Sequence, residues 1–254
     1  MEKFLEYLKV VKKRNERTIR QYRSILKEFR NFEPITLLSW KKYLAHISRN
    51  KPRTQRNKII VVRQYLNWCA DNGFLSIKKR FWNDAEPPRE RNLPKVLELG
   101  EVKKIIRSCD NPYYKALFTL MVNTGMRISE VLALSLEDIA FNGTFAKIRI
   151  RGKGNKERVI SIERSIVEEA IKSGVFSRHV TPRAVQKALK KYAKRAGIEK
   201  RVTPHMLRHT FAISLIERGI PVNKVQRLLG HSNLNTTGIY LQMAGDSIEI
   251  PRLI

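Results

Sequence analysis

The chain has 254 residues, 42% of them hydrophobic, and carries 51 Lys and Arg against 23 Asp and Glu, a formal net charge of +28. That apolar content excludes a disordered tail. A charge excess of this size is self-repulsive in a compact state, so it calls for a polyanionic partner, with nucleic acid first and an anionic membrane surface second.

The excess is spread along the chain. Residues 1–90 hold 22 basic and 9 acidic side chains, net +13, and residues 91–254 hold 29 and 14, net +15. Both halves are therefore expected to face the same polyanion. No apolar run approaches the roughly 18 residues of a membrane span, and the charged stretch 1–13 lacks a signal-peptide core. Cys69 and Cys109 belong to no Cys-x-x-Cys pair, so neither a disulfide scaffold nor a structural zinc is expected, and a cytoplasmic location is.

Taken in chain order, hydrophobic periodicity predicts helices over 2–11, 18–32, 35–47 and 54–72, the last closing at Gly73. Their inward residues include Ile19, Ile25, Leu26, Phe29, Leu37, Trp40, Tyr43, Ile47, Ile59, Val62, Leu66 and Cys69. With such short connections a four-helix bundle is the expected packing. Residues 83–94 contain Pro87, Pro88 and Pro94, many charges and little apolar content, which is linker composition. Domains are thus expected over 1–82 and 95–254.

The second domain is predicted to open with helices over 100–109, 112–123 and 128–134, with Gly125 in a C-cap position. Asn142-Gly143 is a hairpin signal. Ala146, Ile148 and Ile150 alternate with Lys147, Arg149 and Arg151 as in a half-buried strand, and after a turn over 152–155 a second strand runs over 158–162. Helices over 163–172, 182–196, 204–218, 221–229 and 234–242 complete a mainly α, two-domain protein with a small antiparallel sheet.

Thr203 and Pro204 are suitable N-cap and first-turn residues, which places His205 in the first turn of a helix and Arg208 three residues on. His and Arg beside a helix N-terminus outline a phosphate site, with Leu207, Phe211 and Leu215 expected to pack inward. His205 and His209 stand four apart, but Met206 occupies the place of the metalloprotease glutamate, so His209 reads as a supporting residue and no metal is expected. Further on, Gly230 ends a helix, His231 follows in the turn, and Ser232, Asn233 and Asn235 are cap residues for the helix carrying Tyr240. Gly152-Lys153-Gly154 lacks the spacing of a P-loop.

Four blocks together carry a resemblance. They are Asn123-Thr124-Gly125-Met126-Arg127-Ile128-Ser129-Glu130, then residues 151–158 with Gly152-Lys153-Gly154, then residues 203–211 with His205 and Arg208, then Leu229-Gly230-His231-Ser232 ending at Tyr240. In this order they resemble the tyrosine recombinases of the phage integrase family, and in particular the Xer-like branch. The resemblance covers residues 95–245 well and residues 1–80 in character only.

It implies a helical DNA-binding domain followed by a catalytic domain that cleaves DNA through a 3′-phosphotyrosyl intermediate and exchanges strands through a Holliday junction. Arginine suits a phosphate whose non-bridging oxygens gain charge in the transition state, because its planar fork binds two oxygens at once. Arg127 and Arg208 are the candidates, and Tyr240 is the nucleophile. By resemblance, His205 takes part in moving its proton, His231 donates to the phosphate, Lys153 protonates the leaving 5′-oxygen, and Glu130 braces the site. Neither metal, ATP nor other cofactor is implied.

The expected partners are duplex DNA and further copies of the chain, as a tetramer on DNA. The apolar tail residues Ile248, Ile250, Leu253 and Ile254 suggest docking on a neighbouring protomer. The short stretch between Ile162 and Val202 and the lack of an extra N-terminal arm-binding domain favour a minimal two-domain recombinase. Chromosome or plasmid dimer resolution and mobile-element integration would use the same residues. A type IB topoisomerase-like enzyme and a non-catalytic architectural DNA-binding protein are the rival readings. Relaxation without site preference would mark the first, and salt-sensitive binding without a covalent adduct the second.

Overall fold

The computed structural model describes residues 1–77, 80–88, 96–152 and 157–230. The chain divides into two compact units, Met1–Asn92 and Leu93–Ile254.

The first unit contains the four predicted helices: α1 (Glu2–Val10), α2 (Glu16–Phe29), α3 (Leu37–Ile47) and α4 (Pro52–Asp71). Their boundaries follow local chemistry. Asn15 caps α2 by accepting the Thr18 N–H at 2.8 Å, so the helix starts earlier than periodicity alone indicates. It also stops earlier, passing at Phe29 into a 3₁₀ turn over Arg30–Phe32. Pro34 lies just beyond, and the residue before a proline is pushed out of the α region. Thr36 and Ser39 cap α3 reciprocally, at 2.9 and 3.1 Å. Pro52 opens α4 in its first turn, where its missing N–H costs nothing.

The core of this unit joins Phe4, Leu5, Leu8, Ile25, Leu26, Phe29, Trp40, Tyr43, Ile59, Val62 and Leu66. Leu37 departs from its predicted place: it is exposed at the first turn of α3. Trp82, in a 3₁₀ turn over Phe81–Asn83, is fully buried in the same core, and its indole donates to Asn67 Oδ1 at 2.8 Å.

The second unit contains α5 (Leu99–Arg107), α6 (Pro112–Thr124), α7 (Ile128–Val131), a three-stranded antiparallel sheet in the order β1 (Ile139–Asn142), β2 (Phe145–Arg151), β3 (Glu157–Glu163), and then α8 (Arg164–Lys172), α9 (Pro182–Arg195), α10 (Pro204–Glu217) and α11 (Val222–Leu229). Asn142 pairs with Phe145 across the predicted turn at Gly143, and Arg151 pairs with Glu157 at the other end of β2. Ala146, Ile148, Ile150, Ile160 and Ile162 face inward onto a core shared with Leu117, Phe118, Leu120 and Leu207.

α7 is shorter than the predicted 128–134. Beyond it Ser135 donates from its backbone N–H and its hydroxyl to Asp138, 3.2 Å each, and turns the chain toward β1. Leu207 is fully buried as expected, whereas Phe211 and Leu215 are half-buried and border a smaller cluster of Ala212, Ile213, Val225 and Leu229.

Gly125 ends α6 in the left-handed conformation, φ +61°, and a Cβ there would lie 2.3 Å from the Phe211 ring and 3.0 Å from Leu229. Gly125→Ala therefore combines backbone strain with overpacking, together about 2–4 kcal/mol. Thermal denaturation of the variant is expected to fall by roughly 10 °C. An unchanged midpoint would show that the ring yields freely.

Candidate active site

The site is built where two helices end. After Gly125 the chain runs extended through Arg127 and re-enters a helical turn at Ile128. That turn brings Glu130 back under Arg127. The Arg127 backbone N–H donates to Glu130 Oε2 at 2.8 Å and its guanidinium Nη1 donates to Oε1 at 2.7 Å. The carboxylate orients the arginine while leaving it 34% exposed.

α10 supplies the second arginine. Pro204 opens this helix, but Thr203 contributes no side-chain cap, contrary to expectation. His205 is exposed in the first turn. Arg208 is only 3% exposed. Its Nη1 donates to the Gly125 carbonyl at 2.7 Å and its Nη2 to the Leu229 carbonyl at 2.5 Å. Both carbonyls belong to helix C-termini, where backbone acceptors lack intrahelical partners and the dipole favours a cation. One guanidinium thus joins the ends of α6 and α11, with its Nη1 3.7 Å from Glu130 Oε2.

Glu130 is 6% exposed. Burial alone would raise its pKa. Outweighing that, hydrogen bonds from Arg158, from the Arg127 backbone and from the Arg127 side chain, with the Arg158 charge, hold it down to about 2. The carboxylate is ionised at any working pH.

Arg158 was not among the sequence-derived site residues. It lies on β3 at the inward register, two before Ile160 and four before Ile162. An arginine in an inward strand position implies a buried acidic partner, because an unpaired charge there is very costly. That signal was present in the period-two alternation. Three guanidinium groups around one carboxylate leave a formal charge of +2 on this cluster, which suits a phosphate.

His209 is half-buried behind His205, their ring centroids 6.5 Å apart. Burial first, then the charges of His205 and Arg208, lower its pKa to about 4, so it stays neutral and fits a supporting role. Among the described residues no group of three or more His, Cys, Asp and Glu is placed to hold a metal ion. No helix there is long and apolar enough to cross a membrane.

The structure thus brings Arg127, Glu130 and Arg208 together, with His205 one turn before Arg208. Lys153, His231 and Tyr240 lie outside the described residues, as do the helix predicted over 234–242 and the tail over 246–254. Their described neighbours are the Arg151–Glu157 pair that brackets Lys153 and Gly230, left-handed at φ +64°, immediately before His231. In the first unit, a concave surface is lined by Gln21, Arg53, Thr54, Arg56, Asn57 and Ile60 from α2 and α4. It offers cations and amides together, the mixture that contacts phosphates and base edges.

Residues 95–246 match the phage integrase family. The chain is 33% identical to tyrosine recombinase XerA of Pyrococcus horikoshii over 276 aligned positions, covering 100% of this chain and 94% of the relative. In fold it is similar to the XerH site-specific recombinase bound to palindromic difH substrate in a post-cleavage complex, with a TM-score of 0.80, 22% identity, and coverage of 98% of this chain and 82% of that one. It is similar too to a lambda integrase tetramer bound to a Holliday junction, with a TM-score of 0.75, 17% identity, and coverage of 92% and 75%.

Proposed function

The chain belongs to the phage integrase family, and from that premise we infer that it is a site-specific DNA recombinase that cleaves and rejoins duplex DNA. The observation that carries the reading is the cluster of Arg127, Arg208 and Arg158 about the buried Glu130, at the joined ends of α6 and α11.

In this reading Arg127 and Arg208 hold the non-bridging oxygens of the scissile phosphate and stabilise the charge that builds on them. Tyr240 attacks phosphorus through its oxygen, forming a 3′-phosphotyrosyl bond as the bond to the 5′-oxygen breaks. His205 assists the loss of the tyrosine proton, His231 donates to the phosphate, and Lys153 protonates the leaving oxygen. Glu130 fixes Arg127. The phosphotyrosyl bond conserves the energy of the broken ester, so a DNA hydroxyl can reverse the step and reseal the strand through a Holliday junction.

Residues 1–82 form a DNA-binding domain, 83–94 a linker and 95–254 the catalytic domain. Four copies assemble on paired sites, as the lambda integrase does on a Holliday junction, with the tail of one docking on its neighbour. The enzyme works in the cytoplasm on chromosome or plasmid dimers, as the resemblance to the Xer-like branch implies, with integration of a mobile element as the other use of the same chemistry. The topoisomerase and architectural readings find no support among these relatives.

The test is a nicked suicide duplex carrying a site selected from genomic DNA by affinity. A covalent protein–DNA species should form, and peptide mapping should place the linkage on Tyr240. Binding without an adduct would favour an architectural protein, and relaxation of plasmid without site preference a topoisomerase. Removing residues 246–254 should leave the protein folded and able to bind one site, while strand exchange between two sites falls at least about 10-fold, as for a lost intersubunit anchor of about 1.4 kcal/mol or more. Normal recombination by the truncated protein would eliminate the docking.

A further inference from the structure

We propose that Arg158 is a positioning residue for strand cleavage, coupling the carboxylate that orients the phosphate-binding arginines to the turn that leads into His231. The proposal rests on the recombinase reading of the site.

All three guanidinium nitrogens of Arg158 are engaged. Nη2 donates to Glu130 Oε2 at 2.7 Å, Nη1 donates to Glu130 Oε1 at 3.2 Å, and Nε donates to the Leu228 carbonyl at 2.7 Å. The side chain is 10% exposed, so it acts on DNA through its partners. Those partners are specific. Glu130 holds Arg127 by two hydrogen bonds and faces Arg208. The Leu228 carbonyl is at the end of α11, beside the Leu229 carbonyl that holds Arg208. The guanidinium also lies against Gly230, where an added Cβ would come within 3.0 Å of its Nη1. One side chain of β3 therefore fixes both the brace under Arg127 and the point from which the chain leaves α11.

The charge accounting gives Arg158 a second effect. With it present, three guanidinium groups share the single Glu130 charge and the cluster keeps a formal +2. Without it, Arg127 and Arg208 must neutralise the carboxylate, and the positive potential they present to a phosphate falls. A substrate whose phosphate carries no charge makes little demand on that potential. A lysine cannot replace the arginine fully, since it brings one nitrogen to three acceptors in different directions.

The experiment compares single-turnover cleavage of two nicked duplexes, one with an ordinary scissile phosphodiester and one with a methylphosphonate at that position, in which a methyl group replaces a charged non-bridging oxygen. Arg158→Met should slow cleavage of the phosphodiester by about 10-fold or more, less than the roughly 10²-fold of a lost direct donor. Affinity for DNA should be unchanged, and the loss on the methylphosphonate should be below about 3-fold, a remainder far smaller than that of a lost donor. Both rates come from one preparation, so a smaller folded fraction lowers them together and leaves their ratio intact. If the methionine variant does not fold, Arg158→Lys is read by the same ratio, with a smaller difference in the same direction. Equal loss on both substrates, or no loss on the phosphodiester, overturns the proposal. A wild-type protein that forms no adduct on either duplex fails the recombinase reading itself, a result distinct from both.

Discussion

Replacing Tyr240 with phenylalanine will abolish the covalent protein–DNA species while leaving DNA affinity and melting temperature unchanged. The substitution removes one oxygen and keeps the ring, so it tests chemistry rather than packing. Free tyrosine loses its proton near pH 10 and bulk water only at about pH 15.7, so water at neutral pH is a poor substitute unless the site activates it. The expected loss of cleavage is large, on the order of 10⁴-fold or more, as for other removed nucleophiles. Trapping on a nicked suicide duplex and denaturing electrophoresis read it directly. An adduct that persists in the phenylalanine variant would move the nucleophile to another residue.

The two arginines will separate in a second experiment. Arg127→Ala and Arg208→Ala should each slow adduct formation by about 10²-fold or more, the cost of a lost donor at a developing charge. Their effects on stability should differ. Arg127 is partly exposed, and its removal leaves Glu130 with Arg158. Arg208 is buried and satisfies the carbonyls of Gly125 and Leu229. Without it two buried acceptors lose charged donors, at about 1–3 kcal/mol each. The Arg208 variant should melt well below the Arg127 variant, with both measured by circular dichroism. Equal midpoints would show that water replaces the guanidinium without cost.

The helices were legible because their apolar residues recur at helical spacing over long stretches, as Ile19, Ile25, Leu26 and Phe29 do in α2. Gly125 and Asn142-Gly143 were legible because left-handed and hairpin positions admit few residue types. Ends were harder. The cap at Asn15 and the halt before Pro34 each depend on a single residue outside the periodic run, and Leu37 looks inward by spacing yet occupies a first turn open to solvent. In the site, Arg127 and Arg208 stood out by resemblance, but their inequality did not. It comes from Arg208 meeting two helix ends separated by about a hundred residues of sequence, a tertiary arrangement that no local pattern encodes. Arg158 is hard to single out from sequence because it lies at the start of a short strand, and only the burial of Ile160 and Ile162 in the same register shows that it faces inward.

The depressed pKa of Glu130 has a kinetic corollary. Its carboxylate changes protonation near pH 2, and arginine as a side chain keeps its charge throughout the range in which enzymes work. His209 changes near pH 4. The electrostatic frame of the proposed phosphate site is therefore constant from about pH 5 upward, a silent background to any titration. An inflection in the cleavage rate above that point belongs to the groups that move protons, and the profile can be divided among them one substitution at a time. Removing the Lys153 amine should erase one limb and leave the other in place. In sites whose frame itself titrates the two contributions merge, and here the three arginines about the buried Glu130 keep them apart.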